Sequence, residues 1–347
     1  MFTNRPTLNI IGKSNGVGLA RDLTLLSGAL RACGYEVRVI TINGNQSRHR
    51  RSAWWQWRVR LVLMLQRLRD GSAPSSDINL MLEHVWSEYL PAASLNVVIP
   101  NPEWFDAHDQ RFLRHVDTVW AKTAVSWRLF GALGCNPIRV GFDSEDRYDP
   151  AIPRQRFFLH LAGKSSMKGT QRLVRVWQRH PHWPKLMVLQ HNRDRADPAA
   201  SAPNIEVRPG YIEDGELKAL QNAALFHICT STTEGWGHYI VEAMSVGAVT
   251  ITVDAEPMNE LINSDRGILV PYSQTGKQRL ATTYLFDEAA LEGAIESALV
   301  LADGHCRELS ANARRWFLRN KQSFPDRLRS AVEECSARHL AASVAAV

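Results

Sequence analysis

Short apolar runs and amphipathic segments alternate along almost the whole chain. Leu8–Ile11, Ile78–Leu82, Phe157–Leu161 and Leu225–Cys229 have the length and composition of buried strands, and Leu19–Ala32 has the apolar spacing of an amphipathic helix. Alternation of this kind is typical of parallel sheets, because two parallel strands need a long crossover between them, usually a helix. The sequence therefore predicts an α/β fold.

The length of the chain, 347 residues, is sufficient for two domains with separate cores. Near residues 141–154 the sequence becomes polar and contains prolines, which is typical of a linker. We therefore predict one α/β domain at residues 1–148 and a second at residues 149–324. Towards the end of the chain, helices are expected at residues 289–301, 306–321 and 326–340.

The composition is that of an ordinary soluble globular protein, with 45% apolar and 22% charged residues. No run approaches the roughly 20 apolar residues that span a bilayer, and we expect no signal peptide. The five cysteines are scattered without metal-ligand spacing, so we expect reduced thiols and a cytoplasmic protein. The net charge of +6 suits an anionic partner, either a phosphate-bearing ligand or an acidic membrane surface.

One strand–loop–helix segment contains the most informative local pattern. The strand Leu225–Cys229 is followed by a loop with two glycines, Gly235 and Gly237, and by helical apolar spacing from Tyr239. In an open α/β sheet ligands bind where strands end and helices begin, and a helix N-terminus favours an anion such as a diphosphate. Because glycine has no Cβ, the backbone of this loop can approach a ligand closely.

Two carboxylates, Glu234 and Glu242, lie on either side of these glycines. An ionised carboxylate only accepts hydrogen bonds, and its two oxygens suit a ligand with several hydroxyl groups. The segment therefore combines features for phosphate and for hydroxyl groups. A sugar nucleotide carries both.

Several motifs, in this order along the chain, resemble the retaining GT-B glycosyltransferases of the family 4 type. They are the basic segment Gly163–Gly169, the pair Glu234 and Glu242 with the following Ala-Met and Gly247, the glutamate Glu260, and the segment Gly267–Pro271. The resemblance covers about residues 157–272. It implies a GT-B fold, in which two Rossmann-like domains with parallel sheets face each other across a cleft. It also implies that a C-terminal helix at about 325–347 crosses back to the first domain.

By this resemblance, the second domain binds a nucleoside-diphosphate sugar. Glu242 is expected to bind the ribose hydroxyls, and Glu234 is expected to be a catalytic residue that binds the transferred sugar. Tyr211 is expected to stack on the base, with ordinary packing as the alternative. The β-phosphate is expected to contact the backbone at Gly235, Trp236, Gly237, His238 and Tyr239.

Two lysines, Lys164 and Lys168, complete the expected diphosphate site. Cations at this place stabilise the negative charge that develops on the departing diphosphate, so Lys168 is expected to be catalytic. The family usually has an arginine where this chain has Lys164, a change that keeps the charge and loses the bidentate fork. The alternative is that both lysines only face solvent.

The first domain departs from the family pattern. Its glycine-rich loop, with Gly16 and Gly18, is expected to cover the phosphate and sugar of the donor, with a plain turn as the alternative. Many members have a histidine after a central strand, whereas here the strand leads to Asn101 and Glu103, which we take as its catalytic replacements. His84 is another candidate, so the identity of any base stays open.

A basic segment with several tryptophans, residues 54–68, has a different character. Its apolar residues fall on one face of a helix: Trp54, Trp57, Leu61, Met64, Leu65 and Leu68. Such a helix suits the surface of an anionic membrane, although a crossover helix packed on the first sheet explains the same pattern. We do not expect a nucleic-acid partner, because the basic cluster is short.

The sequence and its resemblance lead to one main hypothesis. The chain is expected to be a retaining transferase that moves a sugar from a nucleoside-diphosphate sugar to a carbohydrate or lipid-linked acceptor, in polysaccharide or glycolipid biosynthesis at the cytoplasmic side of the membrane. We expect neither a metal nor a cofactor, because no Asp-x-Asp ligand pair is evident and the lysines carry the charge. The alternatives are an α/β oxidoreductase that binds a nicotinamide cofactor and a non-catalytic sugar-nucleotide or glycan-binding homologue.

Overall fold

The structure is a computed structural model of the chain. It describes residues 5–13, 18–42, 76–191 and 202–345, together with single helical positions at 57, 61 and 65. The chain divides into two units, which we call unit 1 (Met1–Asp143 and Ser323–Val347) and unit 2 (Ser144–Gln322).

Unit 1 contains a parallel sheet of six strands in the order β2-β1-β3-β4-β5-β6. The strands are β1 (Thr7–Lys13), β2 (Glu36–Ile42), β3 (Ser76–Glu83), β4 (Ala93–Pro100), β5 (Thr118–Ala121) and β6 (Pro137–Arg139). Because the order reverses between β1 and β3, the carboxyl edge of the sheet opens a crevice there, where ligands bind in folds of this type.

Two of the helices described in unit 1 begin after polar capping residues. They are α1 (Gly18–Ala32), α2 (Ala107–Phe112) and α3 (Ala124–Ala132), with short 3-10 turns at Leu90–Ala92 and Leu113–His115. Asp106 caps α2 in a reciprocal capping box with Asp109, and the Thr123 hydroxyl accepts the Ser126 N–H group in the first turn of α3 at 3.2 Å. These caps satisfy backbone donors that the helix itself leaves without partners.

Unit 2 contains a second parallel sheet of six strands, in the order β12-β11-β10-β7-β8-β9. The strands are β7 (Gln155–Gly163), β8 (Leu186–Gln190), β9 (Ile205–Pro209), β10 (Ala224–Cys229), β11 (Val249–Val253) and β12 (Gly267–Val270). Every residue of β8 and β11 is buried, as expected for strands covered by helices on both faces. The order reverses between β7 and β10, so these two strands flank the ligand crevice of this sheet.

The helices of unit 2 alternate with its strands. They are α4 (Thr170–Gln178), α5 (Asp214–Ala223), α6 (His238–Ser245), α7 (Met258–Leu261) and α8 (Glu288–Val300). An antiparallel hairpin of β13 (Tyr272–Gln278) and β14 (Ala281–Phe286) follows β12. The sequence did not predict it, because β13 is polar and exposed and lacks the alternating apolar residues of a packed strand.

The last helix, α9 (Asp303–Ala345), continues through Pro325. The prediction of two separate helices at 306–321 and 326–340 is therefore wrong. Proline inside a helix costs about 3 kcal/mol. The buried side chains of Phe324 and Leu328, on either side of Pro325, each contribute about 1.5–3 kcal/mol and offset that cost. From Ser323 onwards α9 belongs to unit 1, where the Cys335 sulfur accepts a hydrogen bond from the Trp120 indole at 3.4 Å.

The α/β prediction is confirmed by the two parallel sheets. Most of the tryptophan-rich segment at 54–68 lies outside the described residues. Three of its positions are described as helical, and of these Trp57 and Leu65 are exposed. Within the described ranges, none of the helices combines the length and apolar character that crossing a bilayer requires.

We predict that the second half of α9 is essential for the stability of unit 1. Leu328 is fully buried, so Leu328→Ala should lower the free energy of unfolding by about 2–5 kcal/mol through lost burial and a residual cavity. Leu318, on the same helix and largely exposed, is the matched control, and Leu318→Ala should change stability by no more than about 0.5 kcal/mol. Thermal unfolding of both variants checks this, and equal effects would contradict it.

Candidate active site

Two loops of unit 2 are joined to each other at the carboxyl ends of β7 and β10. The Thr232 N–H group donates to the Met167 carbonyl at 2.8 Å, and the Thr230 hydroxyl donates to the Lys168 carbonyl at 2.9 Å. Gly169 allows this close approach, because a Cβ on it would lie 2.5 Å from the Thr230 carbonyl oxygen. Gly169 also has a φ of +69°, a conformation that a residue with a side chain adopts only with strain.

The joined loops bring Lys168 and Glu234 together. The Lys168 ammonium and the Ser231 hydroxyl both donate to the same oxygen of Glu234. The ammonium also lies 3.7 Å above the centre of the Tyr239 ring, where a cation is attracted to the π electrons. Both charged side chains keep a small exposed fraction, 16% for Lys168 and 14% for Glu234. The structure thus places two of the predicted catalytic residues in one partly exposed ion pair.

Tyr239 contacts the ion pair of Lys168 and Glu234 through Ser231. Its hydroxyl accepts the Ser231 N–H group at 3.1 Å and shares a hydrogen bond of 2.5 Å with the Ser231 hydroxyl. Burial is the main reason that the pKa of Tyr239 lies well above its usual value, so the phenol stays protonated. Ser231 and Tyr239 therefore fix the orientation of the Glu234 carboxylate.

The N-terminus of α6 begins within the same loop. Gly237 precedes the helix with a φ of +96°, and a Cβ there would lie 3.1 Å from a methyl group of Leu261. The helix starts at His238, so the expected phosphate contacts at Gly235 and the following residues fall on its first turn and the loop before it. The helix dipole and the N–H groups of that turn favour an anion.

The side chains of Trp236 and His238 turn towards the first residue of unit 2. The Trp236 indole donates to the Ser144 hydroxyl at 3.2 Å, and the same hydroxyl is 2.8 Å from Nδ1 of His238. These bonds fix the loop to the start of the unit. The predicted role of both residues in phosphate binding therefore falls to their backbone N–H groups.

Glu242 is buried one turn inside α6. One of its oxygens accepts the side-chain amide of Gln221 at 3.0 Å, and the other end of that amide accepts from Arg147 Nε at 2.9 Å. Only 3% of Glu242 is exposed. A carboxylate held in this way is rigid before any ligand arrives.

Lys164 lies at the carboxyl end of β7, and Tyr211 lies beyond the carboxyl end of β9. Lys164 follows β7 directly and is exposed. Tyr211 is 72% exposed in the short loop between β9 and α5. An aromatic ring in this position is accessible to a planar ligand such as a nucleobase.

His160, which sequence reasoning missed, joins three elements beneath the loops. Its Nδ1 is 2.8 Å from the Ile228 carbonyl, and its Nε2 is 2.9 Å from the Thr170 hydroxyl. Burial lowers the pKa of His160 to about 4, so the ring is neutral at physiological pH. A carbonyl only accepts, so Nδ1 carries the proton and Nε2 accepts from Thr170.

At the carboxyl edge of the sheet in unit 1, Asn101 lies between a cation and a carboxylate. Its amide oxygen accepts the Lys122 ammonium at 3.2 Å, and its amide nitrogen lies 3.4 Å from Glu83. Lys122 also forms a buried ion pair with Asp22 at 2.6 Å. Glu103, the other predicted replacement for the histidine, is buried in the turn after β4.

Glu83, the last residue of β3, is the feature of this edge that sequence reasoning missed. It has a φ of +65°, which is strained for a residue other than glycine. Its carboxyl group lies 3.4 Å from Nε2 of His84, whose Nδ1 contacts the buried Asp109 at 2.8 Å. Burial raises the pKa of Glu83. The rule that ligands bind at the carboxyl ends of parallel strands was the available signal.

Two further expectations concern the glycine-rich loop near the start of the chain and metal binding. Gly16 lies outside the described residues, and Gly18 is the first residue of α1. In the part of the chain that the structure describes, no group of three His, Cys, Asp or Glu side chains is arranged to hold a metal ion.

The comparisons with known proteins agree on one fold. Residues 151–316 match the family model described as glycosyl transferases group 1. A glycosyltransferase from Rickettsia africae ESF-5 superposes with a TM-score of 0.73 at 14% identity, over 96% of this chain and 99% of its own. HepE from Anabaena, solved with UDP and glucose, superposes with a TM-score of 0.67 at 14% identity, over 95% of this chain and 100% of its own.

Sucrose-phosphate synthase from Thermosynechococcus elongatus is similar to the same extent, with a TM-score of 0.67 at 14% identity, over 95% of this chain and 100% of its own. None of the curated proteins matches the chain in sequence. The fold is therefore GT-B, as predicted. The match of residues 151–316 to the model of group 1 glycosyl transferases confirms the resemblance noted in the sequence of that part of the chain.

We predict that Gly169 is required for the two loops of unit 2 to stay joined. Gly169→Ala should lower the free energy of unfolding by about 1–3 kcal/mol, because the added Cβ meets the Thr230 carbonyl and the positive φ is strained. Gly293→Ala is the matched control, since this glycine lies inside α8 with open space around it. That change should stabilise by about 0.5–1 kcal/mol. Thermal unfolding measures both, and a stabilising Gly169→Ala would contradict the account.

Proposed function

We propose that the chain is a retaining glycosyltransferase of the family 4 type. It transfers a sugar from a nucleoside-diphosphate sugar to a carbohydrate or lipid-linked acceptor, in polysaccharide or glycolipid assembly at the cytoplasmic side of a membrane. The observation that carries the proposal is the ion pair of Lys168 and Glu234 beside the N-terminus of α6. A cation, a helix N-terminus and a carboxylate at one place suit a ligand with both diphosphate and sugar hydroxyl groups.

On the donor side, each group has a proposed partner. Glu242 binds the ribose hydroxyls, Tyr211 stacks on the base, and the first turn of α6 binds the β-phosphate. HepE was solved with UDP and glucose, which supports a uridine nucleotide as the first candidate. The exposed Lys164 adds positive charge near the same phosphates.

In the reaction, the bond between the anomeric carbon and the diphosphate breaks, and a bond between the same carbon and the acceptor oxygen forms on the same face of the sugar. The leaving diphosphate gains negative charge and finally takes up the proton of the acceptor hydroxyl. Lys168 and the N-terminus of α6 stabilise that negative charge without giving up a proton themselves. Glu234 binds hydroxyl groups of the sugar and stabilises the positive charge on its anomeric carbon. The two side chains neutralise each other before the donor binds, which lowers the cost of holding both charges in a half-buried site.

Unit 1 supplies the acceptor side in this proposal. The carboxyl group of Glu83 accepts a hydrogen bond from the acceptor hydroxyl, in the role for which the sequence suggested Asn101 or Glu103. Asn101 Nδ2 lies 3.4 Å from one oxygen of this carboxyl group, and His84 Nε2 lies 3.4 Å from the other. The strain at Glu83 is of the kind that folds retain at functional positions.

Nucleotide binding tests the donor proposal. Among UDP, GDP, ADP and dTDP, we expect one to raise the melting temperature of the wild type. A ligand at about 100 times its dissociation constant adds roughly 2.7 kcal/mol of stability. Glu242→Ala should abolish the shift, and Glu296→Ala, an exposed glutamate on α8, should keep it. If none of the four nucleotides stabilises the wild type, the donor proposal fails.

Transfer to an added sugar tests the role of Glu83. Glu83→Gln should lower the rate of transfer to alkyl glycoside acceptors about 10- to 100-fold, because a charged hydrogen-bond acceptor is lost, and should leave nucleotide affinity unchanged. Glu36→Gln is the control, since Glu36 begins β2 at the opposite edge of the same sheet. Equal transfer rates in wild type and Glu83→Gln would remove Glu83 from the mechanism.

A further inference from the structure

A buried row of polar side chains leads to Glu242 from the segment that opens unit 2. Arg147 donates through Nε to the Gln221 oxygen at 2.9 Å, and the Gln221 nitrogen donates to Glu242 at 3.0 Å. The exposed fractions of Arg147, Gln221 and Glu242 are 4%, 0% and 3%. Burying polar and charged groups costs free energy unless each of them has a hydrogen-bond partner. Loss of one member of the row would therefore leave its neighbour buried without that partner.

The chemistry of the row requires a side chain at its centre that both accepts and donates a hydrogen bond. Arginine can only donate, and an ionised carboxylate can only accept. The residue between Arg147 and Glu242 must therefore present an acceptor to one and a donor to the other. The side-chain amide of Gln221 does both, and its orientation is fixed by its two neighbours.

Arg147 also holds the start of the helix that follows Tyr211. Its two terminal nitrogens donate to the Asp214 carboxylate at 2.7 Å and to the Asp214 carbonyl at 3.1 Å. Asp214 is the first residue of α5, directly after the loop that carries Tyr211. One guanidinium thus contacts both the start of α5 and, through Gln221, the carboxylate on α6.

A second connection reinforces the first through the backbone. The Arg147 N–H group donates to the Ser245 hydroxyl at 3.1 Å, and that hydroxyl donates to the Glu242 carbonyl at 2.7 Å. Arg147 is therefore fixed relative to α6 at two points. Its position does not depend on Gln221 alone.

We propose that Gln221 and Arg147 are positioning residues for the nucleoside part of the donor. Arg147 orients Gln221, and Gln221 holds the Glu242 carboxylate in the orientation that receives the sugar hydroxyls of the nucleoside. The inference rests on the proposed donor site. It adds that selectivity for those hydroxyls is set by an amide that does not itself touch the ligand.

The test compares a nucleotide with its analogue that lacks the sugar hydroxyls. Calorimetric titration gives dissociation constants for UDP, GDP, ADP and dTDP and for the 2′,3′-dideoxy analogue of each. Wild type should bind one nucleotide about 10- to 100-fold more tightly than its dideoxy analogue, since hydrogen bonds to a charged group are lost. Gln221→Met, which keeps the side-chain volume, should bring that ratio close to one.

Binding of the dideoxy analogue is the internal control for folding, because it uses the phosphate and base contacts alone. It should change by less than about threefold in Gln221→Met. Should that variant not fold, Gln221→Leu replaces it, because this side chain also lacks the donor to Glu242. It should show the same loss of the ratio.

Asn222→Leu is the matched control. Asn222 is the next residue on α5, is equally buried, and bonds to the Arg147 carbonyl at 2.7 Å and the Asp149 N–H group at 2.9 Å rather than to Glu242. In Asn222→Leu, the ratio of the dissociation constants of the dideoxy analogue and the nucleotide should stay at the wild-type value. The inference is overturned if Gln221→Met keeps the ratio, if Asn222→Leu loses it too, or if wild type binds a nucleotide without preferring the hydroxyls. If no nucleotide binds the wild type, the donor proposal fails together with the inference. If a nucleotide binds and only the expected ratios are missing, the inference alone fails.

Discussion

The hydrogen bond from the Thr232 N–H group to the Met167 carbonyl, at 2.8 Å, joins the loops on which the candidate site of unit 2 depends. Parallel strands alone bring β7 and β10 side by side, but they leave the loops beyond their ends undefined. The backbone bond and the contact at Gly169 define them. Lys168 and Glu234 can then meet, although they lie far apart in the sequence.

Neutral side chains orient both carboxylates of this site, in addition to the ion pair that Lys168 forms with Glu234. Ser231 donates to Glu234, Tyr239 supports Ser231, and Gln221 donates to Glu242. Neutral donors orient a carboxylate without cancelling its charge, so the carboxylate keeps its attraction for hydroxyl groups. Preorganisation of this kind reduces the cost of ordering side chains when a ligand binds.

The sequence predicted the parallel architecture and the loop around Glu234 and Glu242, because both depend on local patterns. Apolar runs define strands, and glycines after a strand define a loop that approaches a ligand. The ion pair of Lys168 and Glu234 joins two motifs that the sequence identified separately. Their contact follows from strand order, which short-range patterns do not encode.

The residues that the sequence missed share a physical reason. Arg147, Gln221 and His160 act through buried hydrogen bonds to distant elements, and nothing in their local sequence distinguishes them from ordinary polar residues. The break predicted in α9 was wrong because the packing of Phe324 and Leu328 outweighs the local effect of Pro325. Glu83 differs, since its place at the end of an apolar strand was visible in the sequence.

Turnover of a sugar nucleotide tests the central claim most directly. The measurement follows the anomeric proton by ¹H NMR while the chain is incubated with UDP, GDP, ADP and dTDP conjugates of common hexoses and an alkyl glycoside. The account predicts that one donor is consumed and that the first product keeps its anomeric configuration. It also predicts that Glu234→Gln still binds the nucleotide but slows consumption at least about 100-fold. Tight binding of a donor without any consumption by the wild type would contradict the account and would identify the chain as a sugar-nucleotide-binding homologue.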